Sequence, residues 1–148
     1  PQTVILGRGL RTNDEGAAQV TSTLNEMGVD VIQVDLPVGT MHLMGMLRIV
    51  DYNLAISQSY RLVHRGVDAL KEHGLNTVYI PDEDEASDNK ALNFVTIAPR
   101  EILMVAGNPI TQAFYEGLGI TCHVVELNEL VKAAGAIGCL SGILEREK

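Results

Sequence analysis

Basic excess is the first thing this sequence lacks. Its 11 Lys and Arg residues stand against 19 Asp and Glu, for a formal net charge of −8, and the isoelectric point is about 4.8. Without a basic stripe, neither nucleic acid nor an anionic membrane surface is an expected partner. No apolar run approaches the roughly 20 residues that a bilayer span needs, and no secretory leader pattern is read. Cysteine is scarce: Cys122 and Cys139 are too few for a disulfide framework, so a reducing, cytoplasmic setting is expected. Gly7 and Gly9 open like a dinucleotide-binding loop, but no third glycine stands where that fingerprint requires one. The acidic run Asp82–Glu85 lacks the spacing of a calcium loop. No cofactor and no metal are expected.

Apolar residues are plentiful, at 46% of 148 residues, enough for one domain with a real core. The chain is read as a single domain over 1–148. It starts at Pro1, without an initiator methionine, and runs almost at once into an apolar strand at Val4-Ile5-Leu6, so a fragment or a processed chain is expected. Thr12 and Glu15 have capping-box spacing for a helix with Ala17, Val20, Leu24 and Met27 on its inner face. A strand follows at 29–36, then two strands at 46–50 and 54–57. Next come a helix over 59–73 and a strand at 77–80. Residues 82–89 read as an acidic loop, whose run Asp82–Glu85 is expected to be solvated or a lid. Strands at 92–97 and 102–105 precede a helix opened by Asn108-Pro109, with Ile110, Ala113, Phe114 and Leu118 inward. A strand at 122–127 and a short helix at 129–134 complete the pattern, and the tail Glu145-Arg146-Glu147-Lys148 is read as solvated.

A repeat runs through this order. Helix stops fall at Gly28, Gly74 and Gly119, at a nearly constant interval, and each is followed by an apolar residue and a strand. Each unit reads strand, strand, helix, strand, and the first copy lacks its opening. A period in the forties points to an array or a propeller-like ring. Doubly wound proteins, which alternate one strand with one helix, fit less well.

The last structured stretch, Ala134-Gly135-Ala136-Ile137-Gly138-Cys139-Leu140-Ser141, is glycine-rich and delivers one cysteine to the start of an apolar run. Its two glycines are read as giving the backbone unusual freedom and close access to a ligand. Free cysteine is most often a small buried hydrophobe; the other reading is a nucleophile presented by a turn. In a ring, equivalent places face one centre, which would gather Cys139, His42 and Arg11. Cys122 reads as strand packing. His64, His73 and His123 read as histidines without partners, and Asn89 as a loop former.

Four stretches in order carry a family resemblance: Gly7-Arg8-Gly9-Leu10-Arg11-Thr12 with Glu15-Gly16; His42-Leu43-Met44; Ile80-Pro81-Asp82-Glu83-Asp84-Glu85 with Asn89; and Gly135 to Ser141. The chain resembles the C-terminal part of the guanidine-modifying superfamily, which holds dimethylarginine dimethylaminohydrolase, arginine deiminase and the amidinotransferases. The resemblance implies an α/β fold, a partial pentein-type α/β-propeller of repeated ββαβ units, with about three blades. It implies a cysteine hydrolase of a guanidino substrate, arginine or dimethylarginine, giving citrulline through a covalent thiouronium. Carried over by position, Cys139 is the nucleophile and His42 the acid/base. Arg11 would bind the substrate carboxylate, and the backbone carbonyl of Ile137 would lie beside the ligand. The superfamily's arginine deiminases and amidinotransferases place an aspartate where this chain has Met44, and one glycine usual before the cysteine is Ala136. The carboxylates that grip the guanidinium are expected in an N-terminal portion. Self-association, or a complementing N-terminal half, is the implied partnership; a non-enzymatic binding or assembly segment is the alternative.

Overall fold

A computed structural model describes residues 2–145; Pro1, Arg146, Glu147 and Lys148 lie outside the described residues, and with them most of the tail read as solvated. The chain is a mixed α/β fold with three small sheets. Strand β1 (Gln2–Arg8) pairs in parallel with β2 (Val29–Asp35) across helix α1 (Asp14–Glu26). Strands β3 (Leu47–Asp51) and β4 (Leu54–Ser57) form an antiparallel hairpin, and helix α2 (His64–Glu72) returns the chain to β5 (Asn76–Tyr79), parallel to β4. The same order recurs in hairpin β6 (Val95–Ala98) and β7 (Glu101–Val105), helix α4 (Pro109–Gly117) and β8 (Thr121–Val125), parallel to β7. The first unit lacks only one opening strand. The repeat glycines end α1, α2 and α4 in the left-handed region, with φ of 76° at Gly28, 76° at Gly74 and 77° at Gly119. A side chain is disfavoured at all three for that reason.

Local chemistry fixes these elements. Helix α1 is capped by Asn13, whose side-chain oxygen accepts from Gly16 N at 2.8 Å, so the cap lies one residue beyond the expected Thr12. Asp14 and Glu15 follow in its first turn, where carboxylates complement the helix dipole. Of its expected inner face, Ala17 is buried, but Val20 and Met27 are exposed. Helix α2 starts at His64 rather than at residue 59, because the chain turns through Tyr60 at φ 60°.

The acidic stretch is not a solvated loop. Asp82 caps a short helix, α3 (Glu83–Ser87), by accepting from Glu85 N at 2.8 Å. Glu85 is buried and accepts from Ile110 N and Thr111 N at the start of α4. Charge in this run therefore serves two helix N-termini. Helix α4 buries Thr111 and Tyr115, with Phe114 and Leu118 packed beside the core, whereas Ile110 and Ala113 are exposed.

The second and third units share one core: Val50, Leu54, Ile56 and Ile80 meet Leu92, Phe94, Ile102, Met104, Tyr115 and Ile120. All four residues of β4 are buried, as expected of a strand covered on both faces. Arg100, in the β6–β7 turn, joins the two units. Its Nε donates to Asp51 at 2.7 Å, and its backbone N donates to Val50 O at 3.0 Å.

Candidate active site

The packing of the last two units brings the 137–140 turn against β7, with Gly138 beside Arg48 of β3 and beside Asn93 and Phe94, which lead into β6. After β8 the chain makes a 3-10 turn at Leu130–Ala133 and then a second one at Ile137–Leu140, which carries Cys139. Ala134, not a glycine, takes the left-handed conformation between them, at φ 61°. Gly138 serves another purpose. It is buried, and a Cβ there would stand 2.6 Å from Asn93 Oδ1 and 3.0 Å from the Phe94 carbonyl oxygen, with the Arg48 guanidinium closer still. No side chain fits, so the glycine is required by packing rather than by backbone conformation.

Cys139 is exposed and His42 is exposed, and both line one cleft of about 230 Å³. Its walls come from the 39–46 segment ahead of β3, from Arg61, from Ser87 and Lys90 at the end of α3, and from Asn93 and Ala134. Among the described residues no Asp or Glu side chain lines it, while Arg61 and Lys90 both do. Among the described residues the sulfur has one hydrogen-bond partner: Asn93 Nδ2 donates to Cys139 Sγ at 3.0 Å. Asn93 Oδ1 in turn accepts from Arg48 Nη2 at 3.3 Å. Arg48 is further fixed by Nε donating to Leu92 O at 2.9 Å and by its guanidinium lying 5.6 Å from the centre of the Phe94 ring. Burial pushes Arg48 below its ordinary range, opposed by Cys139 and then Tyr115.

The other sequence-derived candidates sit apart from this pair. Arg11 is exposed and does not line the cleft; its Nη2 donates to Met41 Sδ at 3.6 Å, and Met41 does line it. Ile137 is buried against Val105 and Ala136, and its carbonyl accepts from Ser141 Oγ at 2.7 Å. Cys122 is half-buried in β8, and burial raises its thiol to about 11, which suits packing rather than nucleophilic use. Asn89 donates to Gly107 O at 3.2 Å, as a loop former would. The three remaining histidines do have partners: His64 Nδ1 with Asp68 at 2.8 Å, His73 Nδ1 with Ala69 O at 2.8 Å, and His123 Nε2 with Glu101 at 2.7 Å. None of the three lines the cleft. Among the described residues no group of three or more His, Cys, Asp or Glu side chains could hold a metal ion, and no helix is long and apolar enough to cross a membrane.

The sequence reading missed Asn93, Arg48, Arg61 and Lys90. One signal was available: Asn93 interrupts the otherwise apolar Ala91-Leu92-Asn93-Phe94 run, whose three other members are fully buried. A polar residue in such a place needs a partner.

Chemically, the cleft presents a thiol whose sulfur accepts a hydrogen bond, the His42 imidazole, and the side chains of Arg61 and Lys90. That set suits nucleophilic attack on an electrophilic carbon with proton transfer to a leaving group.

Comparison with known proteins gives this geometry a context. No curated protein sequence matches the chain. Among solved structures, a dimethylarginine dimethylaminohydrolase in adduct with 4-chloro-2-hydroxymethylpyridine is 26% identical, with a TM-score of 0.74 over 93% of this chain and 51% of that one. An amidinotransferase of the saxitoxin biosynthetic pathway from Microseira wollei superposes with a TM-score of 0.78 at 12% identity, over 93% of this chain and 43% of that one. The inosamine-phosphate amidinotransferase of Streptomyces griseus gives 0.75 at 13% identity, over 93% and 42%. The chain thus spans about half the length of the dimethylarginine dimethylaminohydrolase it matches and less of the two amidinotransferases. The sequence model of one family, arginine deiminase, matches residues 54–146. This chain therefore belongs to the arginine deiminase family, within the superfamily that also holds the dimethylarginine dimethylaminohydrolases and the amidinotransferases.

Proposed function

We propose that the chain contributes three blades of an α/β-propeller and the cysteine–histidine side of an active site that hydrolyses a guanidino compound. The observation that carries this reading is the meeting of Cys139 and His42, far apart in sequence, on one cleft. The Cys139 thiolate attacks the guanidinium carbon. The C–N bond to the leaving nitrogen breaks as His42 donates a proton to the departing amine. Water, deprotonated by His42, then adds to the resulting thiouronium; the thiolate leaves and a ureido product is released. Arginine or a methylated arginine would give citrulline, with Arg11 reaching the substrate carboxylate as a planar fork.

The cleft also sets a requirement. A guanidinium entering beside Arg61 and Lys90, with no carboxylate among the described lining residues, would be desolvated with only the thiolate as counter-charge. The gripping carboxylates must come from other residues, and an N-terminal portion or a complementing chain is their proposed source. The test is incubation with arginine and with dimethylarginine, with and without such a portion. Intact mass reports an adduct on Cys139 and a colorimetric assay reports ureido product. Cys139→Ser is expected to abolish both. If neither adduct nor product forms under either condition, the proposal is wrong.

A second reading, a binding or assembly segment without turnover, draws on the exposed apolar residues of the first unit, Val4, Val20 and Met27. Sedimentation separates the two, because a monomer with full activity eliminates the assembly reading.

A further inference from the structure

We propose that Arg48 and Asn93 form a two-residue clamp that holds the Cys139 sulfur as a hydrogen-bond acceptor facing the cleft, with Asn93 a positioning residue and Arg48 the source of its charge. The inference rests on the reading of Cys139 as nucleophile and extends it to two residues outside the sequence motifs.

Donor and acceptor identity fixes the orientation of the Asn93 amide. A guanidinium only donates, so the atom of Asn93 facing Arg48 must be its carbonyl oxygen, and the amide nitrogen must then face the sulfur. The reverse orientation would set donor against donor. The amide thus has one self-consistent placement, and in it the sulfur is obliged to accept. A thiolate accepts far better than a thiol, because hydrogen bonds to an ionised acceptor are the stronger ones.

Charge points the same way. Arg48 is partly buried, and among the described residues no ion pair holds it: its partners are the Leu92 carbonyl, the Asn93 amide and the Phe94 ring. A desolvated cation without a carboxylate favours a nearby anion, and the sulfur one amide away is placed to be that anion. The other titratable groups facing the cleft are His42, Arg61 and Lys90, so no carboxylate of the described lining opposes the effect.

Gly138 makes room for the clamp. It is the residue before the cysteine, and its missing side chain is what allows the Arg48 head and Asn93 Oδ1 to approach the turn. Gly138 N also donates to the Asn93 carbonyl at 3.3 Å, so the turn and the clamp are tied at the backbone.

The experiment is site-resolved alkylation by iodoacetamide across pH, read by peptide mass spectrometry in the intact protein. Cys122 serves as an internal reference. Arg48→Met is expected to move the Cys139 rate profile to higher pH, so that alkylation at neutral pH slows several-fold. Arg48→Lys, which keeps the charge but loses the fork, should move it less. Asn93→Ala should slow Cys139 at neutral pH without changing the rate at the alkaline plateau. A general loosening of the turn would instead alter the plateau and expose Cys122. If Arg48→Met does not fold, Asn93→Ala and Asn93→Ser decide alone. Profiles of the folded variants that superimpose on the wild type overturn the proposal. Alkylation needs no guanidine turnover, so a shifted profile in a protein inert towards guanidines both alone and with a complementing portion sustains the clamp and refutes the hydrolase reading.

Discussion

Glu85 offers the sharpest test of the packing argument, because two large effects oppose each other there. Its side chain is 6% exposed and no ion pair holds it among the described residues, so burial of the carboxylate is a cost. Against that stand two charge-assisted hydrogen bonds, from Ile110 N at 3.1 Å and Thr111 N at 2.7 Å, made to the free amides of α4. Hydrogen bonds to a charged group contribute about 1.5–3 kcal/mol each, and an orphaned buried amide costs about 1–3 kcal/mol. The positive end of a nine-residue helix adds up to about 2 kcal/mol in a partly buried setting. Geometry makes the bonds win: both oxygens are used, each on its own amide. Glu85→Ala should therefore destabilise the fold by about 3 kcal/mol, a large share of the 5–15 kcal/mol typical of a domain. Glu85→Gln, which keeps one acceptor but turns an amide group towards the other N–H, should lose about 2 kcal/mol. Equilibrium urea denaturation reads this as a lower midpoint at constant slope. Should Glu85→Gln be neutral or stabilising, desolvation dominates and the account of the acidic stretch as a capping device is wrong.

Four further outcomes follow from the same contacts. Gly138→Ala places a Cβ against Asn93 Oδ1 and the Phe94 carbonyl, so it should cost about 1–3 kcal/mol and slow Cys139 alkylation in parallel. Gly74→Ala meets no atom within 4 Å, so its loss, about 1–2 kcal/mol by thermal melting, should be pure left-handed strain. Cys122 has its thiol raised to about 11 by burial and then by Glu116, so its contribution is whole below the unfolded thiol range and is lost as pH climbs towards 11; Cys122→Ala should flatten the stability profile there. Asp35 is held below the usual carboxylate range by its hydrogen bond from Arg8 at 2.7 Å. The advantage of wild type over Asp35→Asn should thus be present near neutrality and vanish as pH falls through that lowered range, and salt should shrink it.

The repeat was legible because its markers are local. Helix-stop glycines, apolar strands and the Asn108-Pro109 opening all act within a few residues of themselves, and the three units stand where they indicate. What was illegible arises between units. Asp82 to Glu85 reads as solvent-seeking charge until α4 arrives beside it and supplies unpaired amides. Arg48 sits in Leu47-Arg48-Ile49-Val50, where strand alternation marks it as an outward position; only docking of the β6 hairpin turns that outward face into the floor of the cysteine site. His42 and Cys139 were readable from motifs, but the cations Arg61 and Lys90 were not, because both precede or follow helices in positions that ordinarily face water. The cap of α1 slipped by one residue because Thr12 and Asn13 are both competent acceptors, and backbone direction, not composition, chose between them.

Among the described residues the three sheets share no hydrogen-bonded strands, so side-chain packing and isolated hydrogen bonds such as Arg100 N to Val50 O hold the units together. That adhesion is uneven. A twelve-residue buried cluster joins the second unit to the third, whereas the first meets the second through Ile5, beside a cluster of three buried residues, and through Val34 of β2 against α2. The first unit is accordingly the part that should exchange its amide hydrogens by a separate, lower-energy opening while the others stay protected. Arg11 travels with that opening and Cys139 does not. Under the proposed function, such an opening would release one end of a ligand without disturbing the sulfur proposed to react with the other.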